Sequence, residues 1–306
     1  MTKDKQAQRD RRDARARAAM TTRPKQGGIS GMWMAVGGVI AVVVVIAGMV
    51  IYHEATKGNS SPASSSGAGS TSTVPPGVMH DVESVPASVF NTVGTGKQQA
   101  FPVAFHGHAP KVDGKPVMAY VGAEYCPYCA AERWPVVTAL SRFGKFTGLK
   151  ATHSSSSDVF PNTQTFSFHG STYSSPYLTF QPVETATNQP QGNSYTPLDT
   201  PNALQASMFQ TYNQPPYFPQ SGAIPFVSYA NQYGLAGASY SPQVLAGLSM
   251  SQIASALNDP SSPVAQGVIG TANTVSAAVC AIDGGKPASV CQSPGVTAAA
   301  KKLGSG

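Results

Sequence analysis

The chain has 306 residues with 20 Lys and Arg against 14 Asp and Glu, a formal net charge of +6. Nine of the basic residues and three of the acids precede Met32, leaving eleven of each, so the basic balance belongs to a tail and argues against a nucleic-acid-binding surface. Beyond the tail, charge is sparse and Ser, Thr, Asn, Gln and Pro are abundant, as in exported, loop-rich proteins.

Residues 1–31 form the basic tail, from Lys3 to Lys25. Met32 to Tyr52 carries no charge; at ~1.5 Å per residue, about 21 helical residues cover ~30 Å, the thickness of a bilayer's hydrocarbon core. This segment is predicted to be a transmembrane helix, and the positive-inside rule leaves the N-terminus in the cytoplasm and everything after Tyr52 outside. A cleaved signal peptide has an apolar region of only ~7–15 residues and a small-residue cleavage site, which Met49-Val50-Ile51-Tyr52 does not resemble. An uncleaved, single-pass anchor in the cell membrane is therefore expected. Gly37 and Ala41 have the spacing of small residues that pack helices, a pattern common by chance. Residues 53–78, dominated by Ser, Gly, Ala, Pro and Thr, bury too little apolar surface to fold and read as a flexible linker.

Residues 79–306 read as one extracytoplasmic domain. The only histidine cluster is His106-Gly107-His108, and two loop histidines rarely make a metal site alone, so no metal and no cofactor is expected. Pro116 to Val121 is a short apolar run entered from the turn-like Asp113-Gly114 and reads as a buried strand. Ala130 to Phe143 reads as a helix, with Trp134, Val137 and Leu140 at helical spacing and Gly144 as its stop.

Cys126 and Cys129 lie at this strand-to-helix junction, with Pro127 at the first helical position, where its missing N–H costs nothing. Free amides and the positive end of the helix dipole favour the Cys126 thiolate, and cysteine pKa falls from ~8.5 to as low as ~3.5 in such settings. Cys126 is the expected attacking residue and Cys129 the resolving one. A zinc half-site would need two more ligands at matching spacing, and no second C-x-x-C or H-x-x-x-H exists. An inert structural disulfide is the stronger competitor, because all four cysteines fall on the exported side.

Downstream, Leu149 to His153 is expected to be the next core strand, and Phe166–Gly170 with Tyr177–Phe180 a hairpin. A helix is predicted from Thr200 or Pro201 to about Tyr212, followed by a Pro-rich return at 214–219. Phe226 to Tyr229 is a predicted strand. Ser249 and Gln252 make a capping box for a helix carrying Ile253, Ala256 and Leu257. Ser262-Pro263 opens another helix running to Cys280, and after the Asp283-Gly284-Gly285 turn Pro287 starts the segment holding Cys291. A helical hairpin over about 262–303, stapled by a structural Cys280–Cys291 disulfide, is expected, since neither cysteine has the helix-start setting of Cys126. Closing so short a loop stabilises by up to ~3 kcal/mol in the chain-entropy model.

A strand, then Cys126-Pro127-Tyr128-Cys129, then a helix containing Pro135 resembles the thioredoxin superfamily, and the Cys-Pro-Tyr-Cys tetrapeptide is similar to that of glutaredoxins. Gly222-Ala223-Ile224-Pro225 leading into a strand is the second mark. More narrowly, roughly residues 80–300 resemble a membrane-anchored, thioredoxin-like domain-of-unknown-function family. The resemblance implies an α/β, thioredoxin-like mixed sheet flanked by helices. It also implies an insertion at about 150–221 and a cis Ile224–Pro225 bond facing the cysteines. Pro225 has no N–H, and the Ile224 backbone, with Tyr128, would receive an extended substrate. Tyr125 stands where thioredoxins have Trp, and Pro135 falls six rather than five positions after the second cysteine. With no His at position 128 and with Glu124 nearby, a couple less oxidising than DsbA-type proteins is expected.

The expected function is a membrane-tethered thiol-disulfide oxidoreductase that acts on the thiols or disulfides of exported proteins, with a separate membrane redox partner to recharge the pair. The alternative is a non-catalytic binding or scaffolding module of the cell envelope with an inert Cys126–Cys129 bond.

Overall fold

The computed structural model describes residues 71–305. The basic tail, the Met32–Tyr52 segment and the first part of the linker lie outside the described residues. Strand β1 (Ser72–Thr73) precedes two short helices, α1 (Val78–Glu83) and α2 (Ala87–Val93), and strands β2 (Val103–Ala104), β3 (Lys111–Val112) and β4 (Lys115–Gly122). After helix α3 (Pro127–Leu140) come β5 (Lys145–Thr147), β6 (Lys150–His153), β7 (Gln164–Ser167), β8 (Thr172–Ser174) and β9 (Thr179–Glu184). Then follow the paired strands β10 (Ala186–Gln191) and β11 (Ser194–Pro197), helix α4 (Ala203–Tyr212), and strands β12 (Phe226–Tyr229) and β13 (Tyr233–Ala236). Helices α5 (Met250–Ala256), α6 (Pro263–Asp283), α7 (Ala288–Cys291) and α8 (Pro294–Ala300) complete the described fold.

The fold is mixed α/β, and β4 is its centre. Val117, Ala119 and Val121 face one apolar cluster, Met118 and Tyr120 the other, which is the period of two expected of a strand covered on both faces. The main sheet runs β2-β13-β12-β4-β3, with β9 also on β4. β12 is antiparallel to β4, and β9 is parallel to it in register from Val117 opposite Thr179 to Gly122 opposite Glu184. Helix α3 packs on α6 over the face bearing Met118 and Tyr120, and α4 covers the other with Met208, Phe209 and Tyr212.

Several expectations are corrected. Residues 72–78, assigned to the linker, belong to the fold: Ser72 and Thr73 pair with Ala151 and Lys150, and Val78 is buried. Val78 and Val82 lie one turn apart and supply the apolar stripe that the Ser/Gly-rich stretch before them lacks. The Leu149–His153 region does form a strand, but it pairs with β1 and β7 in a separate three-stranded sheet. The core position beside β4 goes to β9, whose Phe180 and Val183 pack into opposite apolar clusters.

The expected hairpin does not form, because β7 pairs with β6, β8 with β5, and β9 with β4. Phe166 is drawn instead to Trp134, ring centroids 4.7 Å apart, and Phe168 to Tyr120 at 5.0 Å. Helix α3 ends at Leu140 rather than Phe143. Gly144 follows because the chain passes so close to Ser174 that a Cβ here would collide with its carbonyl oxygen.

Toward the C-terminus, the Ser249/Gln252 capping box is formed, and the Ser262 hydroxyl accepts the Ala265 amide at 2.9 Å to start α6. Among the described residues, α6 is the helix long and apolar enough to cross a membrane, and most of it is buried inside the fold. Cys280 at its end is disulfide-bonded to Cys291.

Candidate active site

Strand β4 delivers the chain through Gly122 and Ala123 to Cys126, which is the N-cap of α3, with Pro127 at its first position. Cys126 has extended backbone angles, and its carbonyl already accepts the Ala130 amide at 2.9 Å. Its sulfur accepts the Cys129 amide at 3.3 Å, so the thiol occupies the place of a capping hydroxyl. Both cysteines are free thiols; Cys126 is 5% exposed and Cys129 is fully buried.

Burial alone would push the Cys126 pKa up. Hydrogen bonds from the Cys129 thiol and amide and from the Tyr128 amide, with the charge of Arg133, outweigh it and hold Cys126 below the ordinary thiol value. Burial pushes the Cys129 thiol well up, and its bond to Cys126 pushes the same way. The two sulfurs are thereby separated into an outer one held toward its thiolate and an inner one held toward its thiol.

The loop before β12 closes over this pair. The Ile224–Pro225 peptide bond is cis, and the Cys126 thiol lies 3.7 Å from the Ile224 carbonyl, to which it donates. Asn213 at the end of α4 pins this loop, donating from its side chain to the Ala223 carbonyl at 2.7 Å and accepting the Gly222 amide at 3.0 Å. Cys126, Cys129, Ile224 and Pro225 are therefore brought together from two crossing segments. Tyr128 points outward, 42% exposed, with its ring edge-on to Phe160 at 5.9 Å. Val159, 69% exposed, precedes Phe160 in the chain, and Tyr128 and Val159 are the exposed large hydrophobics among the described residues. Tyr125 is stacked on Tyr195 at 4.1 Å, so the segment between β6 and α4 walls one side of the site.

Below the cysteines lies a polar group that sequence reasoning missed. Arg133 and Glu184 are both fully buried and joined in a two-point pair, Nε to Oε1 at 2.8 Å and Nη2 to Oε2 at 2.6 Å. Glu124, expected to oppose the Cys126 thiolate, is turned inward and accepts the Ser167 hydroxyl at 2.5 Å. Glu132 is also fully buried, held by the Ser239 amide at 2.9 Å and hydroxyl at 3.1 Å, and burial raises its pKa from 4.5 to about 8 against those bonds. The available signal was the Glu132-Arg133 pair inside an otherwise apolar helical run: charged residues there need partners.

Cys280 and Cys291 take no part in this site. Among the described residues, no group of three or more His, Cys, Asp or Glu is placed to hold a metal ion. The His106–His108 loop is bound instead to the β12–β13 turn, the Gly107 amide donating to Asn231 at 2.8 Å.

A family model described as a domain of unknown function (DUF929) matches residues 107–281, more than half of the chain and the span that holds both cysteines and Ile224–Pro225. No curated protein and no solved structure matches the chain.

Proposed function

The chain belongs to the DUF929 family, a domain of unknown function, and we propose that this member is a thioredoxin-like thiol-disulfide oxidoreductase that exchanges disulfides with exported proteins through Cys126 and Cys129. The observation that carries the reading is the divided environment of the two sulfurs. Cys126 caps a helix, accepts the Cys129 amide at 3.3 Å and is held toward its thiolate, while Cys129 is buried and protonated. Such a pair attacks a substrate disulfide with the outer sulfur and releases the product with the inner one.

The geometry beside Cys126 suits an extended polypeptide. As a thiol, Cys126 donates to the Ile224 carbonyl; ionisation removes that donor and frees the carbonyl for a substrate amide. Tyr128, Val159 and Phe160 offer apolar surface to residues flanking the substrate cysteine. The uncharged Met32–Tyr52 segment and the basic tail before it support a membrane-tethered, extracytoplasmic placement, with a separate membrane redox partner recharging the pair.

The test is Cys129→Ser expressed in the native envelope. Mixed disulfides captured through Cys126 are expected and would name the substrates; a capture pattern equal to that of Cys126→Ser would sink the proposal. Thiol trapping across redox buffers is the companion measurement, with the pair expected to become reduced above about −300 mV, the upper bound for structural disulfides. The second reading, a scaffolding module, draws on the 5% exposure of Cys126, and it gains ground if the pair stays oxidised below that potential.

A further inference from the structure

We propose that Arg133 is the fixed cation of the thiol site and that Glu184 sets how much of its charge the two sulfurs feel, an inference that rests on the exchange activity proposed above. Arg133 follows Cys129 by one helical turn and Cys126 by two, on the same face of α3, and helical side chains lean toward the N-terminus. The guanidinium accordingly reaches back beneath the cysteines. Its Nη2 donates to the Ala123 carbonyl at 2.7 Å, the same oxygen that receives the Cys126 amide at 3.3 Å. Arg133 thus fixes the turn that carries Cys126 while placing a full charge under it.

Nε and Nη2 are committed to Glu184, whereas Nη1 is buried and has no hydrogen-bond partner. A buried, unpaired donor of a permanent cation is costly unless negative charge visits its neighbourhood. The ionisable groups beside it are Glu184, Tyr120, Cys129 and Cys126, with Glu124 next to Glu184. Glu184 is held in place by the fork and Glu124 by Ser167, and burial pushes the Tyr120 hydroxyl far up and keeps it neutral, so the charge that comes and goes during exchange is that of the sulfurs.

In the resolving half-reaction the Cys129 thiolate attacks the Cys126 sulfur of the mixed disulfide. The Cys126–Cys129 bond forms as the bond from Cys126 to the substrate sulfur breaks, and the electron pair leaves with that sulfur, which takes up the proton Cys129 gave up. The cysteine pair is oxidised by two electrons and the substrate disulfide is reduced. Each thiolate on this path inside the fold forms above the same guanidinium, so Arg133 is a positioning residue that stabilises the reduced pair with one sulfur ionised at a time.

The test equilibrates the full chain with reduced and oxidised glutathione and traps the thiols by alkylation, for wild type, Glu184→Gln, Arg133→Met and Arg133→Lys. Glu184→Gln keeps an acceptor for the guanidinium but removes its counter-charge. Its couple is expected to become more oxidising by about threefold in the exchange constant, with Cys126 alkylated at lower pH. Arg133→Met is expected to move both readouts the other way by about tenfold. Should the methionine variant fail to fold by circular dichroism, Arg133→Lys, which keeps a charge but loses the fork, is expected to shift in the methionine direction by a smaller factor. Opposite displacements from the two sides of the pair support the inference. Displacements of the same sign, or none, overturn it, because a merely loosened core has no reason to separate them. A wild-type pair that does not equilibrate with glutathione at all would overturn the exchange reading and this inference with it.

Discussion

The Tyr240 hydroxyl donates to the Ala131 carbonyl at 2.8 Å, at the one turn of α3 where Pro135 denies that carbonyl its helical partner. A proline inside a helix removes the N–H that would reach back four residues, and a buried carbonyl left alone is costly. Tyr240, from the segment after β13, supplies the missing donor, and Thr165 adds one to the neighbouring Ala130 carbonyl at 2.8 Å.

Tyr240→Phe is therefore expected to cost about 1–2 kcal/mol of stability by urea denaturation. In a Pro135→Ala background the helical N–H returns, and the cost of the same change is expected to shrink by about 1 kcal/mol in a double-mutant cycle. Additive effects would mean that the hydroxyl is not replacing the proline's missing donor.

Glu132 gives stability a slope with pH. Its folded-state pKa of about 8 lies above the ordinary 4.5, with burial as the first cause. The folded state thus holds a proton that the unfolded chain releases, and the contribution is fully present below pH 4.5 and is lost as pH rises through about 8. Glu132→Gln, which keeps the Ser239 contacts with a neutral group, is expected to match wild type near pH 4.5 and to exceed it at pH 8, by an amount on the order of several kcal/mol. Denaturant midpoints across that range check it, and parallel curves for the two proteins would refute it.

The division between the two sulfurs predicts ordered reactivity. A single equivalent of iodoacetamide at neutral pH is expected to modify Cys126 and leave Cys129 unmodified, because Cys126, 5% exposed against a fully buried Cys129, is the sulfur held toward its thiolate. The rate should level off below the ordinary thiol pKa. Peptide mapping identifies the site, and equal labelling of both cysteines would contradict the assignment.

The Cys280–Cys291 disulfide links residues 11 apart across the turn between α6 and α7. Replacing both with Ser is expected to lower stability by about 2–3 kcal/mol. Exchange through Cys126 and Cys129 should persist, since the bond staples helices and touches no part of the thiol site. Glutathione equilibration of the double variant measures both effects.

What the sequence determined by itself was local. The run Pro116–Val121 into Cys126-Pro127 encodes strand, cap and first helical turn within a dozen residues, and Ser249/Gln252, Ser262-Pro263 and the Cys280–Cys291 spacing work the same way: each partner is a few positions from the next. The tertiary structure decided what depends on contacts far apart in the chain. Strand pairing is such a contact, and a short alternating segment such as Lys150–His153 fits an outlying sheet as readily as the core, so the choice was left to packing: β9, whose Phe180 meets Phe146 and Phe168, lies beside β4, and β6 pairs with β1 and β7 instead. Buried charge is another: Arg133 meets Glu184 across 51 positions and Glu132 meets Ser239 across 107. The sequence shows that such residues need partners, because an isolated charge in the core is too costly to keep, but only the fold brings a particular partner within reach.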